Sequence, residues 1–315
     1  MSISPERIYR EFRQDKLDLS SALSQLVSLV ENVEAEGIRK RSLKYLEKIG
    51  HKNDEIFKLL ENLLISDSSN VIRKIACRAI VTLFDKKALP IMKWTILHET
   101  DYDCSIEIIE SLLKINNIIA KTILTKQIEH IIKNKLILEN KSFTNKSFRK
   151  DYLTLLRTRE ITDFSIQELA DLLINYKTIL ALKEKFYSVY YELENALVVT
   201  LDLTDIEYEV RGWKAEFKNN VHALSEITGL RYLKNLKTLY LANNQIQDLK
   251  ELVYLQNLTK LYLSNNRIDH IKNLDYLKQL KNLSYVDLSD NTIARKISEG
   301  AIGTSTRLKL VRYNY

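Results

Sequence analysis

The sequence predicts two kinds of repeating unit: an array of paired α-helices, followed by a solenoid with a curved, parallel β-sheet. Three observations lead to this fold class. A period of 22 residues runs through 233–293, a weaker period of 34 residues runs through 38–114, and residues 1–195 contain two glycines and two prolines. Fixed periods are typical of units that bury their apolar faces against copies of themselves. The predicted domains are 1–195, which is helical, and 196–315, which contains the repeated strands.

The 34-residue period of the first domain is carried by matching dipeptides. They are Ile38-Arg39, Ile72-Arg73 and Ile106-Glu107. Asp67 and Asp101 share a register, each before an apolar helix, and segments 55–64 and 89–97 are the predicted partner helices. The pattern resembles HEAT repeats, in which an aspartate opens one helix and an arginine lies further along it, although Glu107 departs from it. An irregular helical bundle is the alternative.

Other helix signals lie outside this period. Ser4 followed by Pro5 is typical of a helix start, and isoleucines between 118 and 132 predict one or two amphipathic helices. Ser165 and Glu168 form a capping-box pattern that predicts a long helix extending to about Glu194. The alternating residues 199–203 then predict the first strand of the second domain.

The 22-residue period is marked by the pattern L-x-x-L-x-L-x-x-N-x-I, whose third copy follows after 25 residues. The asparagine follows each strand, where its amide can donate to and accept from backbone groups of the turn. Stacked copies therefore predict a structural ladder, with His222 at the corresponding position of a degenerate earlier copy. Its predicted members are His222, Asn244, Asn266 and Asn291. The pattern resembles leucine-rich repeats of the short type found in regulatory subunits of protein phosphatase 1.

Alternation along each repeated strand puts leucines on the inner side and polar residues on the outer side. Two outward columns are predicted. One contains Lys218, Tyr240, Tyr262, Asp287 and Lys309, and the other contains Glu216, Thr238, Lys260, Tyr285 and Arg307. We expect a protein partner to bind at Tyr240, Tyr262, Tyr285, Asp287, Lys260, Arg307 and Lys309. The alternative is that the tyrosines only cover one another on a solvated sheet.

The net charge of +7 is concentrated in segment 121–160, which contains ten lysines and arginines but only four acidic residues. Such a segment could bind an acidic protein, nucleic acid or an anionic membrane surface, or it could be a solvated face with a lysine-rich loop. Few aromatic residues are interleaved for stacking on bases, and no nucleic-acid motif surrounds the segment. We therefore expect no nucleic-acid binding.

Motifs for catalysis and cofactor binding are absent from the sequence. No glycine-rich phosphate loop occurs, the histidines are never at ligand spacing, and Cys77 and Cys104 are expected to be buried free thiols. No signal peptide or membrane-spanning stretch is recognised, so we expect a cytoplasmic protein without metal or cofactor. The predicted function is a non-enzymatic scaffold or adaptor for a protein partner. Alternatives are a regulator of a phosphatase or small GTPase, a nucleic-acid binder, and an enzyme with an unrecognised site.

Overall fold

The structure is a computed structural model that describes residues 4–133, 148–186, 189–210, 216–219, 221–297 and 309–311. The chain divides into two compact units. The first contains residues 1–129 and 164–170, and the second contains residues 130–163 and 171–315. The boundary predicted near residue 195 lies inside the second unit.

Paired helices build the first unit. They are α1 (Pro5–Arg13), α2 (Leu19–Asn32), α3 (Glu36–Ile49), α4 (Asp54–Ser66), α5 (Asn70–Phe84), α6 (Leu89–His98) and α7 (Tyr102–Ile115). Helix α2 packs against α3, α4 against α5, and α6 against α7, while α3, α5 and α7 pack in succession. Fully buried Leu43, Ile80 and Ile108 lie on these three successive helices. The N-terminal part of the chain is therefore helical, as predicted.

Short polar side chains begin several of these helices. Ser4 accepts a hydrogen bond from the backbone N–H of Arg7, and Asp101 accepts one of 2.9 Å from Cys104 at the start of α7. Asp67 differs from Asp101, because it follows the end of α4 and Ser69 caps α5 instead. A side-chain oxygen at a helix N-terminus satisfies a backbone N–H that has no partner within the helix.

Charged pairs connect successive helices of the first unit. Arg39 pairs with Asp67, and one 34-residue period later Arg73 donates to both carboxylate oxygens of Glu99 at 2.8 and 3.0 Å. Glu107, where the period would place an arginine, is buried and accepts two hydrogen bonds from Arg78 at 3.0 and 2.6 Å. The charge at this position is reversed, and a basic residue of α5 compensates for it.

The described residues that follow include α8 (Ile118–Lys133), α9 (Phe148–Thr158) and α10 (Ile166–Lys185). The predicted capping box opens α10, because Ser165 N–H donates to Glu168 at 2.7 Å and Glu168 N–H donates to the Ser165 hydroxyl at 3.2 Å. The helix ends at Lys185 rather than near Glu194. Residues 190–194 instead alternate between exposed and buried positions and form a strand.

The second unit contains a sheet of six strands in the order β1-β2-β5-β6-β7-β8. The described residues of this unit form eight strands, of which β3 and β4 lie outside this sheet. They are β1 (Tyr190–Glu194), β2 (Leu197–Asp202), β3 (Glu207–Val210), β4 (Glu216–Asn219), β5 (Thr238–Tyr240), β6 (Lys260–Tyr262), β7 (Tyr285–Asp287) and β8 (Lys309–Val311). Within the six-stranded sheet, β1 is antiparallel to β2, and the other four pairs are parallel. The sheet is therefore mixed: the pairing from β2 onward is parallel, whereas β1, which was not predicted as a strand, is antiparallel to β2.

Return segments connect the parallel strands along the other side of each repeat. They include 3₁₀ turns at Leu224–Glu226, Leu230–Tyr232 and Lys250–Tyr254, and helices α11 (Lys272–Lys278) and α12 (Thr292–Lys296). Leucines and isoleucines of these segments, such as Ile246, Leu249 and Leu252, are fully buried. They pack opposite the inward residues of the strands and form the core of the repeats.

Strand β4 lies outside the main sheet, because it pairs with β3 in a separate antiparallel ribbon. The neighbour of β5 is β2, with Thr200 opposite Thr238 and Asp202 opposite Tyr240. The prediction that Glu216 and Lys218 begin the outward columns is therefore wrong. The ribbon is inserted between β2 and the first return segment, so the 22-residue spacing does not apply there.

The last strand also differs in register from the prediction. Lys309 pairs with Tyr285 and Leu310 with Val286, whereas Lys309 was expected beside Asp287. The connection from β7 to β8 is two residues longer than the 22-residue period assumes. Arg307, expected beside Tyr285, lies outside the described residues.

Candidate protein-binding face

The outer face of the six-stranded sheet is the side opposite its buried leucines. Leu201, Leu239, Leu261 and Val286 are 0% exposed and point into the core. The outer face is defined here by the side chains that alternate with these positions, together with Glu192 on β1. They are Glu192, Thr200, Asp202, Thr238, Tyr240, Lys260, Tyr262, Tyr285 and Asp287. The sequence correctly assigned six of these residues, Thr238 to Asp287, to the outward side.

Three half-buried tyrosines are in contact at the centre of the outer face. The rings of Tyr240 and Tyr262, on adjacent strands, are stacked with centroids 4.4 Å apart and planes 11° apart. Tyr285 is diagonal to Tyr262, with centroids 5.0 Å apart and planes inclined by 42°. Burial raises the pKa of Tyr240, and the proximity of Tyr262, Asp202 and Glu192 raises that pKa further. Aromatic contacts of this kind hold the rings in fixed positions.

Two aspartates flank this tyrosine pair. Strand pairing places Asp202 beside Tyr240 and Asp287 beside Tyr262, so four adjacent strands present Asp202, Tyr240, Tyr262 and Asp287 in that order. Each aspartate accepts a hydrogen bond through Oδ1 from a backbone N–H two residues later, at 2.9 Å from Thr204 and 3.0 Å from Ser289. The two carboxylates are therefore held in equivalent orientations at opposite ends of the row.

The remaining polar groups of the outer face lie beside this row. Glu192 accepts hydrogen bonds from the hydroxyls of Tyr190 at 3.0 Å and Thr200 at 3.1 Å. Lys260 is exposed and lies between Thr238 and Tyr285 on the neighbouring strands. On the other side of β7, Lys309 of β8 is the strand-pairing partner of Tyr285.

Asparagines connect consecutive repeats below the outer face. Asn244, Asn266 and Asn291 are buried, and Oδ1 of each accepts the backbone N–H of the preceding repeat at 2.9 to 3.0 Å. Each Nδ2 donates to carbonyls of its own turn and of the preceding repeat, as Asn266 does to Leu263 at 3.0 Å and Leu241 at 2.8 Å. These bonds satisfy backbone groups where the chain leaves each strand.

The residue before each of these asparagines adopts a left-handed conformation. Its φ is 57° at Asn243, 53° at Asn265 and 55° at Asp290. Asparagine and aspartate tolerate this region better than other residues with a side chain, because their polar groups can bond locally. The turn thus explains why an asparagine or aspartate also stands immediately before each ladder asparagine, a position for which the sequence alone suggested no role.

His222 is not a member of the asparagine ladder. Its side chain is exposed, and the first asparagine binds the N–H of Val221 instead. The inserted ribbon breaks the period before this point, so counting back 22 residues from Asn244 gave the wrong register. Two further buried asparagines were missed: Asn273 binds Leu249 N–H at 2.9 Å, and Asn175 on α10 binds Val198 N–H at 2.9 Å. Neither belongs to a repeated pattern.

The described part of the chain contains no group of three or more histidine, cysteine or acidic residues that could hold a metal ion. Cys77 and Cys104 are free and buried, and burial raises the pKa of the Cys77 thiol to about 12. No helix among the described residues is both long and apolar enough to cross a membrane. In the basic segment, Lys135, Lys141 and Lys146 lie outside the described residues.

Residues 234–270 match the family model for leucine rich repeats, in two copies. The matched segment contains β5 and β6, and with them the tyrosine pair and two of the ladder asparagines. No curated protein matches the sequence of the chain. This segment therefore consists of leucine-rich repeats, a class of module that generally mediates interactions between proteins.

Proposed function

We propose that this protein is a non-enzymatic scaffold or adaptor that holds a protein partner on the outer face of its sheet. The observation that carries the proposal is the contact between Tyr240, Tyr262 and Tyr285 on the solvent side of a leucine-rich-repeat sheet. Buried leucines already form the core on the other side, so the fold does not need three aromatic side chains here.

Tyrosine contributes a large contact area at a small entropic cost and is among the residues that most often anchor protein interfaces. The contacts among the three rings reduce that cost further, because the rings are ordered before a partner binds. Charged groups at the edges of the aromatic patch would orient the partner.

The proposal includes the architecture of the whole chain. We propose a HEAT-like helical array in the part of the chain before β1 and a curved leucine-rich-repeat solenoid in the part after it. Support for the array comes from the successive packing of α3, α5 and α7 and from the pairs of Arg39 and Arg73, which recur at 34-residue spacing. Regulation of a phosphatase or small GTPase is a narrower form of the proposal and rests only on the resemblance of the repeats.

We also propose a cytoplasmic location and no role in nucleic-acid binding. The location is supported by Cys77 and Cys104, which are both buried free thiols, as is usual in reducing compartments. The proposed absence of nucleic-acid binding is supported by the composition of segment 121–160, which has few aromatic residues to stack on bases.

Affinity capture with two matched double variants tests the proposed face. Tyr240→Ala with Tyr262→Ala removes the stacked pair, and Tyr254→Ala with Tyr276→Ala removes two tyrosines from the return segments. Each tagged protein is incubated with native lysate, and the bound proteins are quantified by mass spectrometry after circular dichroism has verified folding. We expect the first variant to lose partners that the parent and the second variant retain. Equal capture by all three folded proteins would exclude the outer face.

A further inference from the structure

We propose that the outer face recognises a basic, extended protein segment with two cationic side chains four residues apart and an apolar residue midway between them. This inference rests on the proposed function and specifies the chemistry of the partner. It is derived from the row Asp202, Tyr240, Tyr262 and Asp287, whose members occupy four adjacent strands.

The charge of this surface is opposite to that of the chain. The outer face defined above contains three acidic residues, Glu192, Asp202 and Asp287, and one basic residue, Lys260, whereas the chain has a net charge of +7. Among the described residues, no hydrogen bond to Oδ2 of Asp202 or Asp287 is present. The surface therefore offers carboxylate acceptors to a basic partner, although the protein as a whole repels one.

The tyrosine stack determines where the cations would lie. The two rings are stacked along the direction from strand to strand, so the outer ring face of Tyr240 is turned toward the strand of Asp202. The other face of Tyr262 is turned toward β7, where the ring of Tyr285 lies with its centroid 5.0 Å away. A tyrosine side chain extends further from the sheet than an aspartate does. A guanidinium or ammonium group that reaches Asp202 would therefore lie against the ring of Tyr240, and one that reaches Asp287 would lie beside the rings of Tyr262 and Tyr285. Each group would gain both an ion pair and a cation–π contact.

The spacing of the two carboxylates selects the spacing of the cations. Asp202 and Asp287 are three strand positions apart, which is roughly 14 Å at about 4.8 Å per strand. An extended chain rises about 3.3 Å per residue, so residues i and i+4 are roughly 13 Å apart and point to the same side. Residue i+2 then lies over the tyrosine pair, where an apolar side chain such as leucine would bury the exposed ring edges.

Fluorescent synthetic peptides test this inference directly. The first peptide contains Arg-Ser-Leu-Ser-Arg between flexible ends, the second has the same composition with adjacent arginines, and the third has glutamates in place of the arginines. Binding to the parent protein is measured by fluorescence anisotropy at low and at physiological salt. We expect the first peptide to bind at least about tenfold more tightly than the second, no binding of the third, and weaker binding at higher salt.

Matched variants locate the binding. Asp202→Asn with Asp287→Asn removes the charges and retains Oδ1 as an acceptor for the turn, and Asp248→Asn with Asp275→Asn makes the same charge change at exposed positions of the return segments. We expect the first variant to bind the Arg-Ser-Leu-Ser-Arg peptide at least about tenfold more weakly than the parent, and the second to bind it like the parent.

Three outcomes would overturn the inference: no binding of the Arg-Ser-Leu-Ser-Arg peptide, equal binding of both arginine peptides, or equal binding by the two aspartate variants. None of them affects lysate capture by the tyrosine variants, which tests the proposed function separately. If lysate capture depends on Tyr240 and Tyr262 while the peptides fail, the outer face remains the binding site and its partner is not a basic segment.

Discussion

Replacing Asn266 with alanine should destabilise the protein through a single backbone group. Oδ1 of Asn266 accepts the N–H of Ile246 at 2.9 Å in the preceding repeat, and the asparagine is buried. Its Nδ2 donates to Leu241 and Leu263, but these carbonyls also accept from Asn244 at 3.1 Å and Asn291 at 2.8 Å. The neighbouring ladder members would keep both carbonyls paired.

The N–H of Ile246, a buried group in the preceding repeat, therefore loses its hydrogen-bond partner when Asn266 is replaced. A buried polar group without a partner costs about 1–3 kcal/mol, and we expect the free energy of unfolding to fall by that amount. Urea unfolding followed by circular dichroism measures the change. Asn257→Ala is the matched control, because Asn257 is exposed and donates to Lys234 at 2.9 Å, where water can replace it. Its expected effect is below about 0.5 kcal/mol. If both variants unfold at the same urea concentration as the parent, the role assigned to the ladder is wrong.

Three further predictions concern other parts of the chain. Arg78→Ala should lower the free energy of unfolding by about 1–2 kcal/mol, since it leaves the buried Glu107 carboxylate without its two hydrogen bonds from Arg78. Arg78→Lys should recover part of this loss, and urea midpoints equal to that of the parent would contradict the prediction. Cys77 and Cys104 should not react with a thiol reagent at pH 8 in the native protein, because burial raises both pKa values, and both should react in urea; fast labelling of the folded protein would refute it. Segment 121–160 should not retain single-stranded or duplex nucleic acid at physiological salt in a gel-shift assay; retention that is lost after charge reversal in this segment would overturn that expectation.

The sequence predicted the repeated strands well, because their period was constant. Leu239 and Leu261 are buried and Tyr240 and Tyr262 point outward, as the alternation requires. The same reasoning predicted the asparagine at each turn, where only a side chain that both donates and accepts can serve the N–H and the carbonyls together.

Register failed where the length of a connection changed. The period was extended backward from Asn244 across an inserted ribbon and forward from Asp287 across a longer connection, and both extensions paired the wrong residues. Strand pairing is decided by contacts between residues distant in sequence, and a period reports it only while every connection has the same length. Asn175 was missed for a related reason, because it is a single buried residue on α10 whose partner, Val198, lies on β2.

Site-specific photo-crosslinking tests the central claim most directly. A benzophenone amino acid replaces Lys260, which is exposed on the outer face, or Lys250, which is exposed on a return segment. After irradiation in native lysate, covalent adducts are detected by gel shift and identified by mass spectrometry. The account predicts a discrete protein adduct from position 260 and none of the same mass from position 250. An adduct from position 250 with none from position 260 would contradict the claim that the outer face binds the partner.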